Sequence, residues 1–254
     1  MKILAINASY RGNMGHTKFL IDKLFKGATE CGAECEAVTL SENKINLCKA
    51  CNTCQTEKHY LKCVFDEKDD VKSIFNKMAS ADLIVFATPV YIFGISGLMK
   101  IFLDRIYATS DVNDLRVSKS GLLFHHIDNS ICSKPFVTLV CCDNLEDKTP
   151  ENALSYFKTY SKFMDAPQAG VLMRNGGSIT GYGQDPEKEK KFPKIYDVYD
   201  AYEHAGRELA EYGKISANTQ RKANQEIIPL PLFKFIKKIK PLKRKFIGKA
   251  QEMR

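Results

Sequence analysis

The sequence predicts an α/β domain built on a doubly wound parallel sheet, and three observations predict it. Apolar runs of strand length alternate with segments whose apolar residues recur every three or four positions, from Lys2 to about Gly213. One of these runs, Ala81–Thr88 (ADLIVFAT), is almost unbroken apolar, as a strand covered on both faces requires. The chain is 254 residues long and 44% hydrophobic, which suits one generous domain with appendages and excludes global disorder.

The elements follow in order. Lys2–Ala8 (KILAINA) is a first strand. After a Gly-containing loop, Phe19, Leu20, Leu24 and Ala28 mark a helix that ends near Cys31 and Gly32. Glu34–Leu40 alternates as a second strand, and 41–65 is an irregular, cysteine-bearing segment. Val71, Ile74, Phe75 and Met78 give Asp66–Ser80 one buried helical face. The third strand, Ala81–Thr88, leads into a helix over Gly97–Thr109; Pro135–Cys142 is a fourth strand and Glu151–Met164 a further helix. Ala169–Arg174 is a fifth strand, followed by a helix over Pro193–Gly213. Five strands in this succession predict the flavodoxin-like order 2-1-3-4-5, whose ligands sit beyond the carboxyl ends of strands 1, 3 and 4. The domain is expected to cover residues 1–215, with a basic extension over 216–254. The excursion Ser110–Lys134 stands outside the minimal fold.

The formal charge of +8 is not spread over this domain. Residues 232–254 hold nine Lys/Arg and one Glu, and the remainder is balanced at 29 of each sign. A general affinity of the folded part for nucleic acid is therefore not expected. In the extension, Leu232, Phe235, Ile236, Ile239, Leu242 and Phe246 lie on one side and lysines on the other. Such a helix docks on a neighbouring subunit or an acidic partner, in preference to a membrane surface, because Pro241 limits its length. No run approaches the roughly 18 apolar residues that cross a bilayer, and the start carries no signal pattern, so a cytoplasmic protein is expected.

Ser9-Tyr10-Arg11-Gly12-Asn13-Met14-Gly15-His16-Thr17 lies where the first strand gives way to a helix. Free N–H groups at the helix start and the hydroxyls of Ser9 and Thr17 make this an anion site. It is neither G-x-G-x-x-G nor a Walker loop, which points to a phosphate monoester and away from a nucleoside triphosphate. A plain N-capped helix is the alternative reading. After the third strand comes Thr88-Pro89-Val90-Tyr91-Ile92-Phe93-Gly94, where Pro89 stiffens the exit, Tyr91 and Phe93 offer apolar planes and Gly94 allows close approach of a flat ligand.

Four of the nine cysteines form Cys48-x2-Cys51-x2-Cys54-x8-Cys63. Two successive C-x-x-C steps turn three thiolates toward one point and a fourth can return from the loop, as in a [4Fe–4S] site. Four thiolates also suit zinc, and free thiols are the third possibility.

Ser-x-Arg with Thr17 in the first loop, Thr88-Pro89-Val90-Tyr91, and the Leu98-Met99-Lys100-x-Phe102-Leu103-Asp104-Arg105 helix together resemble the NADPH-dependent FMN reductase family, in its iron–sulfur flavoprotein branch. The resemblance spans roughly residues 1–180. It implies FMN as cofactor and NAD(P)H as donor. Ser9, Arg11, Asn13, His16 and Thr17 would contact phosphate or ribityl, and Pro89, Val90, Tyr91, Ile92 and Gly94 the ring. The loop from Cys142–Asp143 would close the other side. It favours iron at Cys48, Cys51, Cys54 and Cys63. The implied function is an FMN-dependent oxidoreductase passing electrons between NAD(P)H or a reduced carrier and an acceptor; the alternative is a non-catalytic electron carrier or redox sensor with a ferredoxin partner. A homodimer or homotetramer is implied as well. Hydride transfer to a flavin needs no catalytic side chain, so none is assigned. His125-His126, without acidic or Cys neighbours at ligand spacing, reads as a surface or interface pair, and Asp104 and Arg105 as structural or subunit contacts.

Overall fold

The computed structural model describes residues 1–146 and 148–228, with 239–242, 244 and 248 beyond them. In chain order the elements are β1 (Lys2–Asn7), α1 (His16–Glu30), β2 (Glu34–Thr39), α2 (Val71–Ser80), β3 (Leu83–Tyr91), β4 (Gly94–Ile95), α3 (Gly97–Asp104), β5 (Ser110–Val117) and β6 (Leu123–Ile127). Then follow α4 (Asn129–Cys132), β7 (Phe136–Cys141), α5 (Glu151–Met164), β8 (Gln168–Arg174), α6 (Gly177–Thr180), α7 (Pro186–Lys190), α8 (Lys194–Tyr212) and α9 (Ala217–Ala223).

The central sheet runs β2-β1-β3-β7-β8, all parallel, which is the 2-1-3-4-5 order expected from the sequence. Its inner strands read as apolar because both faces are buried. Along β3, Leu83, Val85 and Ala87 enter the core beneath α1 and α8, while Ile84 and Phe86 enter the core beneath α2, α3 and α5. On the second face Phe86 stacks on Phe157 with ring centroids 5.4 Å apart.

On the first face α1 and α8 cross in contact. Gly27 meets the backbone of Glu203, and Gly206 meets the backbone of Leu24. The crossing is flanked by Glu203, 7% exposed, whose two carboxylate oxygens accept from Lys23 at 2.9 Å and Lys26 at 2.8 Å. Burial pushes the Glu203 carboxyl up, and the hydrogen bonds and charges of Lys26 and Lys23 overcome it, so the net shift is downward. A carboxyl lowered on folding adds stability above its unfolded pKa and loses it as pH falls through the folded value. Glu203→Gln is expected to cost about 2 kcal/mol at neutral pH. Urea melts should show that deficit shrinking below the usual carboxylate range.

Four differences from the sequence reading have physical causes. The second helix begins at Val71 rather than Asp66, because the Asp70 carboxylate accepts from the Lys44 N–H at 2.7 Å and Asp69 from the Asn46 N–H at 3.0 Å, fastening this stretch to the cysteine segment. The helix after β3 stops at Asp104, and Arg105–Thr109 tightens into a 3-10 turn as Arg105 is drawn inward to Asp69. The excursion forms an antiparallel hairpin, β5–β6, closed by α4. Cys142, where the closing loop was expected to begin, is buried beside Cys141.

The β8 edge is covered. From α9, Gln220 accepts from the Val171 N–H at 2.9 Å, and Asn224 accepts from Met173 N–H at 2.7 Å and donates to the Val171 carbonyl. These side chains occupy ladder groups that an edge strand otherwise presents to solvent. This helix lies within the segment assigned from sequence to the basic extension. The amphipathic pattern of that extension falls mostly outside the described residues. Among the described residues no helix is long and apolar enough to cross a membrane.

Candidate functional site

Two loops meet at the carboxyl ends of β1 and β3. In the first, the Ser9 N–H donates to Asn7 Oδ1 and Ser9 Oγ accepts from the Arg11 N–H, both at 3.2 Å. Gly12–Met14 forms one 3-10 turn, and α1 then starts at His16 with no side chain capping it. The helix thus opens against a loop carrying the buried Ser9 hydroxyl, with the buried Thr17 hydroxyl in its own first turn. Gly15 is required by space: a Cβ there would lie 2.6 Å from Ser9 Oγ.

The second loop is more ordered than its sequence implies. β3 runs on through Pro89 and Val90 to Tyr91 and turns back as β4, pairing Val90 with Ile95 and Tyr91 with Gly94. The two turn residues, Ile92 and Phe93, have φ of 46° and 64°. That is the two-residue hairpin turn usually given to Asn-Gly, here built from two large apolar residues at a cost in backbone strain. Ile92 is 91% exposed and Phe93 59% exposed. The loops are joined: Ser96 Oγ donates to the Ala8 carbonyl at 2.8 Å, and the Tyr10 and Tyr91 rings lie 5.7 Å apart.

Not every expected residue turns inward. Asn13 donates to Glu42 Oε1 at 2.6 Å and accepts from the Thr39 hydroxyl at 3.2 Å, so its amide is engaged at the end of β2. His16 packs on Tyr182 with ring centroids 4.6 Å apart, its Nδ1 3.1 Å from the Tyr182 carbonyl oxygen. Burial lowers the His16 pKa, with the Tyr182 carbonyl opposing, which favours the neutral ring. Thr17 lies against the Cys141 thiol. A segment absent from the sequence reading, 176–185, covers this loop: Gln184 donates to the Met14 carbonyl and accepts from Arg11 Nη2 at 3.4 Å, and the Ser178 N–H donates to Asp143 at 2.7 Å. Its glycines, at 176, 177, 181 and 183, were the signal available.

The cysteine segment forms a second site. Cys48, Cys51, Cys54 and Cys63 all line one hollow, partly open to solvent, together with Arg105 and Tyr107. Ala50, Asn52 and Leu61 adopt positive φ between the cysteines, at 51°, 54° and 54°. Asn52 lies in the left-handed region and a 3-10 turn, Thr53–Gln55, follows it, the kind of backbone pattern from which anion-binding concavities are built. The Thr53 hydroxyl and N–H lower the Cys51 pKa, whereas burial raises that of Cys54 despite the Gln55 amide. Gln55 ties the loop to the hairpin, donating to the Ser110 carbonyl at 2.7 Å. Among the described residues no three His, Cys, Asp or Glu side chains close on a single metal ion.

Residues 1–124 match the family described as NADPH-dependent FMN reductase. Both loops and the four cysteines fall within the matched residues. An iron-sulfur flavoprotein of Archaeoglobus fulgidus is 36% identical over 105 residues, 41% of this chain and 48% of that protein. An iron-sulfur flavoprotein of Clostridioides difficile is 24% identical over 200 residues, 78% of this chain and 76% of that one. The chain spans about half the length of the curated relatives it matches most strongly. The flavodoxin-like fold is shared with an FMN-dependent NADH-azoreductase of Bacillus anthracis solved with FMN, at TM-score 0.56 and 16% identity, covering 83% of this chain and 100% of that one. The matched segment ends within β6, so the strap 176–185 and the α8–α9 cover are contributed by the chain beyond it.

Proposed function

We propose that this chain is an FMN-dependent NAD(P)H oxidoreductase whose cysteine segment holds a [4Fe–4S] cluster. The observation that carries the flavin reading is the junction of the two loops at the carboxyl ends of β1 and β3, with Tyr10 against Tyr91 and Gly15 against Ser9 Oγ. The phosphate end of FMN is assigned to Ser9, Arg11, Thr17 and the N–H groups opening α1; Asn13 and His16 shape that loop through Glu42 and Tyr182. The ring is assigned to Pro89, Val90, Tyr91, Ile92 and Gly94. Bound flavin supplies two-electron chemistry with nicotinamide and one-electron chemistry with a cluster. The protein's share is to fix the phosphate, hold the ring beside Tyr91 and keep the ribityl end dry beneath the 176–185 strap.

Cys48, Cys51, Cys54 and Cys63 are assigned as the cluster's ligands because all four line one hollow. Four thiolates would also suit zinc, and the metal analysis below separates zinc from iron. The relatives' description as iron-sulfur flavoproteins points the same way. The exposed Ile92 and Phe93 at the hairpin tip support a homodimer or homotetramer, which sedimentation velocity tests.

The deciding experiment is an absorption spectrum with iron and zinc analysis on anaerobically purified protein, followed by titration with FMN. Flavin bands with about four irons per chain are expected. A colourless chain that refuses FMN overturns the flavin reading. Anaerobic NADPH should bleach the flavin; bleaching by reduced ferredoxin alone would make the protein a carrier. Gly15→Ala is expected to raise the FMN dissociation constant about tenfold, or 1.4 kcal/mol, because Ser9 Oγ must rotate away from the Arg11 N–H. Fluorescence titration reads this directly.

A further inference from the structure

The cysteine hollow shares part of its wall with a neighbouring one. Arg105 and Ala108 line both the four-cysteine hollow and a second one bounded by Lys62, Asp66, Lys72 and Asp128. Arg105 is 2% exposed. Its Nη1 donates to the Asn46 carbonyl at 3.0 Å and to Asp69, whose side chain is wholly buried, and its Nη2 lies 3.8 Å from Asp66. The guanidinium also lies over Phe65, 5.4 Å from the ring centroid. Both terminal nitrogens therefore have carboxylate neighbours. Nε does not: it is buried and without a hydrogen-bond partner. An orphaned buried donor calls for an acceptor; Arg116 and Arg174 carry the same unpaired Nε, and of the three only Arg105 lines the cysteine hollow.

We propose that Arg105 tunes the cysteine site, its Nε–H reserved for a sulfur acceptor in the occupied hollow. The inference rests on the cluster reading above. Asp69 and Asp66 oppose the guanidinium's charge, so the directed N–H bond, rather than net charge, carries the effect. Asp69 also fixes the plane of the fork, being held itself by the N–H groups of Asn46 and Val71. A hydrogen bond to cluster sulfur stabilises the reduced, more negative state and raises the reduction potential. Lysine at this position would keep the charge but lose the planar fork and the Nε–H.

The test begins with the unaltered chain, grown with 15N-arginine, purified anaerobically, reduced and read by pulsed electron–nuclear double resonance. An arginine 15N coupling to the reduced cluster is expected, since Arg105 is the one arginine lining the hollow among the described residues. Iron at about four per chain with no such coupling overturns the inference and leaves the cluster standing. Failure to take up iron on anaerobic reconstitution overturns the cluster reading and this inference together. Arg105→Lys is expected to keep its iron, lose the coupling and shift the one-electron equilibrium about tenfold toward the oxidised form, 59 mV. An unchanged potential in an iron-replete Arg105→Lys protein also overturns it. Should that variant not fold, the labelled native protein decides.

Discussion

Gly206→Ala is expected to lower the melting temperature by about 6–12 °C. A Cβ at Gly206 would lie 1.9 Å from the Leu24 carbonyl oxygen and 2.7 Å from the Ala28 nitrogen; the reciprocal position, Gly27, would bring one to 1.7 Å from the Glu203 carbonyl oxygen. These are backbone atoms of a facing helix, so no rotamer change relieves the clash, and α1 and α8 must separate. Overpacking costs about 1–3 kcal/mol, occasionally more, and a backbone obstruction belongs at the upper end. At about 2–4 °C per kcal/mol for a domain of this size, the range follows. The separation would also withdraw apolar side chains of the first core from one another, including Leu24, Ala28, Tyr202 and Leu209. Gly94→Ala is the comparison, because a Cβ there meets nothing within 4 Å. Calorimetry showing equal losses in the two variants would sink the helix-crossing argument.

Cys54→Ser is expected to drop iron from about four per chain to well below one. Cys54 is the buried member of the four thiols lining the hollow, so no water-exposed substitute ligand reaches its place. Cys132→Ala is the matched control. That thiol is also buried, its pKa pushed up to about 12 by burial, and it lies among Ile131, Phe102 and Tyr160 in the second core. It should keep its iron and lose about 1–2 kcal/mol of stability through the small cavity left behind. Iron analysis after parallel reconstitution separates the two, and equal iron in both would remove Cys54 from the ligand set.

Much of this architecture was legible because its signals are local. Unbroken apolar runs mark strands buried on two faces, and the three- and four-residue spacing of Val71, Ile74, Phe75 and Met78 marks a helix with one buried side; all four are buried. The hairpin β5–β6 escaped because its outward positions are apolar: Leu115, Val117 and Leu123 are each more than 60% exposed, which blurs the alternation. The start of α2 escaped because Asp69 and Asp70 accept hydrogen bonds from residues more than twenty positions earlier. Arg105 was legible as a structural or subunit contact, but not its partners; only its distant acceptors make burial tolerable.

By itself, then, the order of residues determined which segments become strands and helices, where the two ligand loops leave the sheet, and how the cysteines are spaced. Folding alone decided which side chains share a hollow. It sent Asn13 to Glu42 and His16 to Tyr182, brought four thiols to one wall with Arg105 behind them, and laid 176–185 across the first loop. Periodicity and backbone preference act over a few residues and can be read from them. A contact between positions 13 and 42, or 14 and 184, depends on how the whole sheet closes and on which buried donor finds its acceptor there.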